Sequence, residues 1–296
     1  MKKTLPVYSL EQFLAPGPDN GIYVNTIPRH LAKYEFLFGP HRHDSFLVIL
    51  CTKGKGRHEI DFNAYDIRPG SLFFIYPGQA HLFTLTEPAD GYVFLHSKDF
   101  YETYFTRKKI SAYPFFYCSH NTPALYLDPA QVRYAEELMK EMLSEFEGKA
   151  LAKNQKICSL IDIAYIEMAR IYLEKNPVTL PGSQHSMRIR QLEDLIEKNF
   201  RTERSPSFYA SEMNMSAKQL NRICRETLGK TTSEMISDRV VLEAKRMLAH
   251  TDAPFAQIAS ELGYFDDAYF IRMFRKHSGK TPAAFAKKYR EESIVQ

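Results

Sequence analysis

The chain has 296 residues, 44% of them hydrophobic and 25% charged, a length that exceeds one compact core and fits two globular domains. No run approaches eighteen consecutive apolar residues and no apolar segment follows Lys2 and Lys3, so neither a membrane-spanning helix nor a secretory leader is expected and a cytoplasmic protein is. The net charge of +4 lies entirely in residues 186–296, with 19 Lys and Arg against 15 Asp and Glu; residues 1–185 balance at 20 and 20. A modest basic excess in one domain is attracted to the phosphates of a duplex.

From about residue 20 to 125, short alternating apolar runs are punctuated by turn signals at Pro40, Gly54 and Gly56, Pro69-Gly70, Pro77-Gly78 and Pro88 to Gly91. This spacing predicts a small barrel or sandwich. The period then changes. Asp128 and Pro129 suit a helix start, and Val132, Ala135, Leu138, Met139, Met142, Leu143 and Phe146 recur at helical spacing. After Gly148 a second helix carries Ile157, Leu160, Ile161, Ala164, Met168, Ile171 and Tyr172 on one side. The pair predicts a helical hairpin over 128–175, packed on the barrel, serving a dimer interface, or both. Residues 176–186, with two prolines and a glycine, read as a linker. The expected organisation is α+β: a β-barrel domain (1–127), the hairpin, the linker, and an all-helical domain (187–296). The scattered Cys51, Cys118, Cys158 and Cys224 include no CxxC pair and read as reduced, buried thiols.

The helical domain contains an internal repeat. Ala210-Ser211-Glu212 recurs as Ala259-Ser260-Glu261; one residue of offset later, Leu220 matches Phe270, Arg222 matches Arg272, Arg225 matches Arg275, and Gly229-Lys230-Thr231 matches Gly279-Lys280-Thr281. Each copy predicts a helix, a turn and a second helix, capped by Ser216 or Asp266 and stopped by Gly229 or Gly279. At 100° per residue Leu220, Ile223, Cys224 and Thr227 face inward with Phe270, Met273 and Phe274, whereas Lys218, Asn221, Arg222 and Arg225 face outward with Ala268, Ile271, Arg272 and Arg275. Arginines at matching outward positions suit the O6 and N7 of guanine in a major groove. Between the copies, Thr231 to Glu234 forms a capping box that opens a connecting helix of about 18 residues. At 1.5 Å per residue it is a rod of roughly 27 Å, comparable to the ~34 Å between successive major grooves.

On these residues, and on Ile258-Ala259, Gly263-Tyr264-Phe265, Tyr269-Phe270, Phe274-Arg275 and Gly279-Lys280-Thr281-Pro282, residues 187–290 resemble the DNA-binding domain of the AraC/XylS family of bacterial transcription regulators. Cys224 departs from the family's usual Phe. The resemblance implies base contacts from Lys218, Gln219, Asn221 and Arg222 in one helix and Ala268, Tyr269 and Arg272 in the other. Ser216, Arg225, Lys230, Arg275, Lys276 and Lys280 are expected at phosphates, with Lys287 and Lys288. The implied partners are double-stranded DNA, a small-molecule effector, a second copy of the chain and RNA polymerase, with no membrane and no catalytic residues.

Residues 35–100 resemble the cupin-type sensor domain of such regulators, through Pro40-His41-Arg42-His43-Asp44, Gly54-Lys55-Gly56 and Pro69 to His81. An effector pocket lined by His41, His43, Phe74, Tyr76 and His81 is expected. His41 and His43 share a strand face and with His81 offer three metal-ligating nitrogens. The glutamate that catalytic cupins place four residues after the second histidine is Leu47 here. Histidines that line the pocket by hydrogen bonding, with no cofactor, are therefore expected. The alternative is a metal-dependent cupin enzyme fused to a DNA-binding module.

Overall fold

The computed structural model describes residues 5–14, 21–105, 108, 110, 113–116, 121–176 and 184–294. The chain divides into two compact units, one of residues 6–178 and one of residues 179–296 with 1–5.

The first unit is built on β1 (Val7–Tyr8), β2 (Ile22–Thr26), β3 (Arg42–His43), β4 (Phe46–Ile60), β5 (Asn63–Ile67), β6 (Ser71–Ile75), β7 (His81–His96) and β8 (Ala124–Tyr126). A six-stranded sheet runs in the order β2-β7-β4-β6-β8, with β5 paired to β4, while β1 pairs with β3 in parallel. In the first half of β4 the alternation of side chains splits two cores. Phe46, Val48 and Leu50 join Leu72, Phe74 and Phe94 on one face; Leu47, Ile49 and Cys51 join Phe73, Ile75, Val93 and Leu95 on the other. Beyond Cys51 the register with β7 shifts at Lys53, Lys55 and Gly56. A Cβ on Gly56 would stand 2.1 Å from the Thr84 carbonyl oxygen, so only glycine lets the strands close there. After this bend β4 pairs β5 and the start of β7. Ile60 and Ile67 of the second arm share a core with Ile49 and Leu95 of the first, so the sheet folds over its own odd-numbered face.

Two helices interrupt the region read as all β. Thr26 caps α1 (Ile27–Lys33), with Pro28 in its first turn, and Ser97 caps α2 (Lys98–Tyr104). Both start signals stand in the sequence, but each helix has only seven residues, too short for periodicity to be read. The hairpin forms as α3 (Pro129–Glu147) and α4 (Lys153–Lys175). Asp128 accepts from the Ala130 and Gln131 amides in a capping box. Ala135, Leu138, Met139 and Met142 of α3 and Ile157, Ile161, Tyr165 and Met168 of α4 cover the even-numbered face of the sheet. Asp162 of α4 accepts from Tyr101 (2.5 Å), Tyr113 (2.7 Å) and Lys108 (2.5 Å).

His96 sits between sheet and hairpin. Its Nδ1–H donates to the Ser97 carbonyl at 2.8 Å and its Nε2 accepts from the Tyr165 hydroxyl at 2.7 Å, a pattern only the neutral ring completes. Burial pushes its pKa down to about 4. An unfolded chain protonates this ring near pH 6.5 and the folded chain refuses the proton. The stability is therefore whole above pH 6.5 and declines by about 1.4 kcal/mol per unit as the pH falls toward 4. His96→Gln, which keeps a donor and an acceptor, should shrink the loss of unfolding free energy between pH 7 and pH 5 by about 2 kcal/mol. Denaturant unfolding at the two pH values checks this; an unchanged loss contradicts it.

The second unit is helical: α5 (Gln184–Asn199), α6 (Pro206–Glu212), α7 (Ala217–Leu228), α8 (Thr232–His250), α9 (Phe255–Glu261), α10 (Asp267–Ser278) and α11 (Pro282–Ile294). Gln184 to Ser186, read as linker, already belong to α5; residues 177–183 of that linker lie outside the described residues. So does Cys118, while Cys51, Cys158 and Cys224 are buried free thiols. No helix among the described residues is long and apolar enough to cross a membrane.

Candidate DNA-reading surface and histidine pocket

The repeat folds as two helix-turn-helix units. Ser216 Oγ accepts from the Gln219 amide at the start of α7, and Asp266 Oδ1 accepts from the Tyr269 amide at the start of α10. Both helices end on a glycine in the left-handed region, Gly229 at φ 67° and Gly279 at φ 73°. Leu220, Ile223 and Cys224 are buried beneath α7, and Phe270, Met273 and Phe274 beneath α10. Thr227 is half-buried. Lys218, Gln219, Arg222 and Arg225 of α7 are exposed, as are Ala268, Tyr269, Ile271, Arg272, Arg275 and Lys276 of α10, and Lys280, Lys287 and Lys288 beyond it. Arg222 stands 3.6 Å from Glu226 in an exposed pair that holds it weakly.

Besides Ser216, whose hydroxyl caps α7, two residues expected at DNA are engaged within the protein. Asn221 Oδ1 accepts from the Thr232 amide at 3.1 Å, which turns its carbonyl toward the start of α8. Lys230 pairs with Asp238 at 2.6 Å, and Asp238 also accepts from His277 of α10 at 2.9 Å. Asp238 thus ties Lys230, just beyond α7, to His277 of α10. A further clamp lies at the second turn. Arg204 stacks on Tyr264 at 3.9 Å and donates to the Leu262 carbonyl. Gly263 packs so close beneath it that a Cβ would stand 2.5 Å from the Arg201 carbonyl oxygen, and its φ is 73°. Phe265, just before the Asp266 cap, is wholly exposed.

In the first unit the five residues expected in one pocket separate onto two faces. Phe74 lies in the core beneath the hairpin, stacked on Phe115 at 3.8 Å, and Tyr76 packs against the same core. His41, His43 and His81 lie on the opposite face, in a cavity of about 30 Å³ also lined by His30, Leu37, Leu47, Ile49 and Val93. His41 and His81 are held together by backbone: each amide donates to the other's carbonyl, at 3.1 and 2.9 Å. His58 reaches the group from the second arm of β4, with its Nε2 at 3.1 Å from His81 Nδ1. Burial holds all five rings neutral: His30 and His58 are pushed down to about 3 and His41 to about 4, and His43 and His81 lie well below the usual range.

A family profile described as an AraC-like ligand binding domain matches residues 27–162, and a second, described as a helix-turn-helix domain, matches residues 209–288. The chain belongs to the AraC family. The HTH-type transcriptional activator RhaS of Klebsiella pneumoniae (strain 342) is 23% identical over 255 residues, which span 83% of this chain and 86% of that protein. Its counterpart from Enterobacter sp. (strain 638) is 22% identical over 258 residues, with the same coverage. Among solved structures, unsaturated-fatty-acid-bound ToxT from Vibrio cholerae matches 92% of this chain and 97% of its own at 11% identity and a TM-score of 0.42. A DNA-binding transcriptional dual regulator from Escherichia coli K-12 matches 36% and 93% at 25% identity and 0.32.

This AraC-family chain is a DNA-binding transcription regulator with an N-terminal ligand-binding domain. His30 and His58 escaped the sequence reading. His58 carried a signal: it lies two residues before Ile60, on the inward side of an alternating strand. His30 carried none, because a seven-residue helix brings it to the cavity.

Proposed function

We propose that α7 and α10 read successive major grooves of double-stranded DNA, with Arg222 and Arg272 as the matched base-reading guanidinium groups. Lys218, Gln219, Ala268 and Tyr269 flank them, and Arg225, Arg275, Lys276 and Lys280 meet phosphates on either side. Asn221 and Lys230 act instead from within, as anchors of α8. The observation that carries this reading is the duplication: each helix buries an apolar triad and exposes an arginine two residues after the first buried position. The regulator acts in the cytoplasm, on promoters served by RNA polymerase, as a homodimer. Tyr134 of α3 and Ile163 of α4, both exposed, suit a hairpin that pairs with its copy. Ligand binding in the first unit acts by favouring one of two states of the dimer on DNA.

The test uses sites selected from random-sequence duplexes. Arg222→Ala and Arg272→Ala should each cost about 1–3 kcal/mol at one base pair, with little loss on unselected DNA. Lys280→Ala should weaken both alike and lower the salt dependence by about one counterion. Equal losses on selected and unselected DNA for the two arginine variants contradict the assignment.

A further inference from the structure

Three of the five clustered histidines carry a buried ring nitrogen with no hydrogen-bond partner: His43 Nδ1, His58 Nδ1 and His81 Nε2. Each orphaned polar atom costs about 1–3 kcal/mol. The partners that do exist constrain the protons. His41 Nδ1–H donates to the Gly39 carbonyl at 2.7 Å, which leaves the His41 Nε2 lone pair pointing at His43 Nε2, 3.1 Å away. If His43 answers with a proton, its Nδ1 is a bare acceptor in an apolar wall. If it does not, two lone pairs oppose each other. Hydrogen bonding among neutral imidazoles cannot satisfy this group.

We propose that His41, His43 and His81 form a binding site for one divalent transition-metal cation. Their ligand nitrogens all lie within 4.8 Å of one another. Two nitrogens on one ion, bonded at about 2.0–2.1 Å, stand roughly 3.0–3.4 Å apart, and the 3.1 Å between His41 and His43 already meets this. The cation turns the opposed lone pairs into ligands and gives His81 Nε2 its partner. The rings are oriented from outside, as in metal sites generally. The Gly39 carbonyl fixes His41, and His58 accepts from His81 Nδ1 and so leaves Nε2 free to coordinate. Neutral nitrogen donors select zinc, copper, nickel, cobalt or iron over magnesium and calcium. Among the described residues no carboxylate lines the cavity, and its volume of about 30 Å³ takes an ion and one or two solvent molecules but not a sugar. That the ion is the regulatory ligand rests on the proposed function above; that it binds does not.

The experiment uses the full chain without a histidine tag, stripped with a chelator and dialysed against Zn²⁺, with Co²⁺ absorption as a second readout and Mg²⁺ as the control. Wild type should bind one Zn²⁺ per chain, give tetrahedral cobalt bands and ignore Mg²⁺. His43→Gln and His81→Gln should each weaken Zn²⁺ by about 100-fold or more, and His58→Gln by about 10–100-fold through the lost orientation of His81. His30→Gln should keep full stoichiometry, because His30 Nδ1 is engaged by the Tyr23 hydroxyl at 3.0 Å. Substoichiometric zinc on folded wild type overturns the site, whatever the variants do, and so does undiminished binding in folded His43→Gln. DNA binding assayed in parallel separates the two readings: its failure in every sample, with zinc bound, overturns the regulatory role and leaves the site standing.

Discussion

Replacing Glu243 by alanine should destabilise the DNA-binding unit by about 3–5 kcal/mol, the range for removing one partner of a buried ion pair. Glu243 lies inside α8 and is 2% exposed. Its carboxylate meets Arg201 at 3.2 Å, Arg239 at 3.1 Å and Arg246 at 3.2 Å. Arg239 would survive the change best, since it keeps Glu197 at 2.5 and 2.8 Å and stacks on Phe200 at 3.9 Å. Arg246, itself 3% exposed, would lose its 3.2 Å pairing with this carboxylate. Glu243→Gln keeps an oxygen acceptor and should cost less. The double variant Glu243→Leu/Arg246→Met removes both buried charges and should recover much of the loss. Hydrogen exchange of the α8 amides measures the opening free energy of this unit directly. A loss below about 1 kcal/mol for Glu243→Ala would show that water already screens the cluster.

Phe270→Ala should cost about 3–5 kcal/mol and abolish selective DNA binding together with the fold of the second helix-turn-helix unit. Phe270 is fully buried and lies among Tyr264 at 4.6 Å, Phe255 at 5.3 Å and Phe274 at 6.5 Å between ring centres. Removing the ring leaves a cavity that rigid aromatic neighbours cannot collapse to fill. Phe270 is two residues before Arg272, so loosening α10 around that void would misplace the arginine proposed above to read a base pair. Leu220→Ala at the matching position of α7 should cost less, about 2–4 kcal/mol, because Ile223 and Cys224 are smaller and can relax. Calorimetry of the two variants gives the comparison; equal losses would mean that the two copies have equally adaptable cores.

Helices α7 and α10 were the most legible part of the chain. Serine and aspartate caps, glycine stops and an apolar stripe at 3.6-residue spacing act within one or two turns, and duplication presents each signal twice. The ordered faces of α7 and α10 follow from that stripe. The strands carried a weaker message. Ser71 to Ile75 is buried at every position, so alternation does not say which of Phe73 and Phe74 looks toward the histidines. The five residues expected in one pocket therefore divide between the two faces, with Phe74 and Tyr76 away from the histidines.

What the amino-acid order determined on its own was the α+β division, the helical hairpin, the paired helix-turn-helix units and their outward arginines, since each rests on contacts between near neighbours in the chain. Tertiary structure alone decided the rest. His30, His41, His43, His58 and His81 come from α1, the β3 region, the far arm of β4 and the start of β7. Asn221 and Lys230 were drawn inward by the amide of Thr232 and the carboxylate of Asp238. Such partners are chosen by strand register and by the bend at Gly56, and a buried polar atom takes whatever donor or charge those constraints bring within reach.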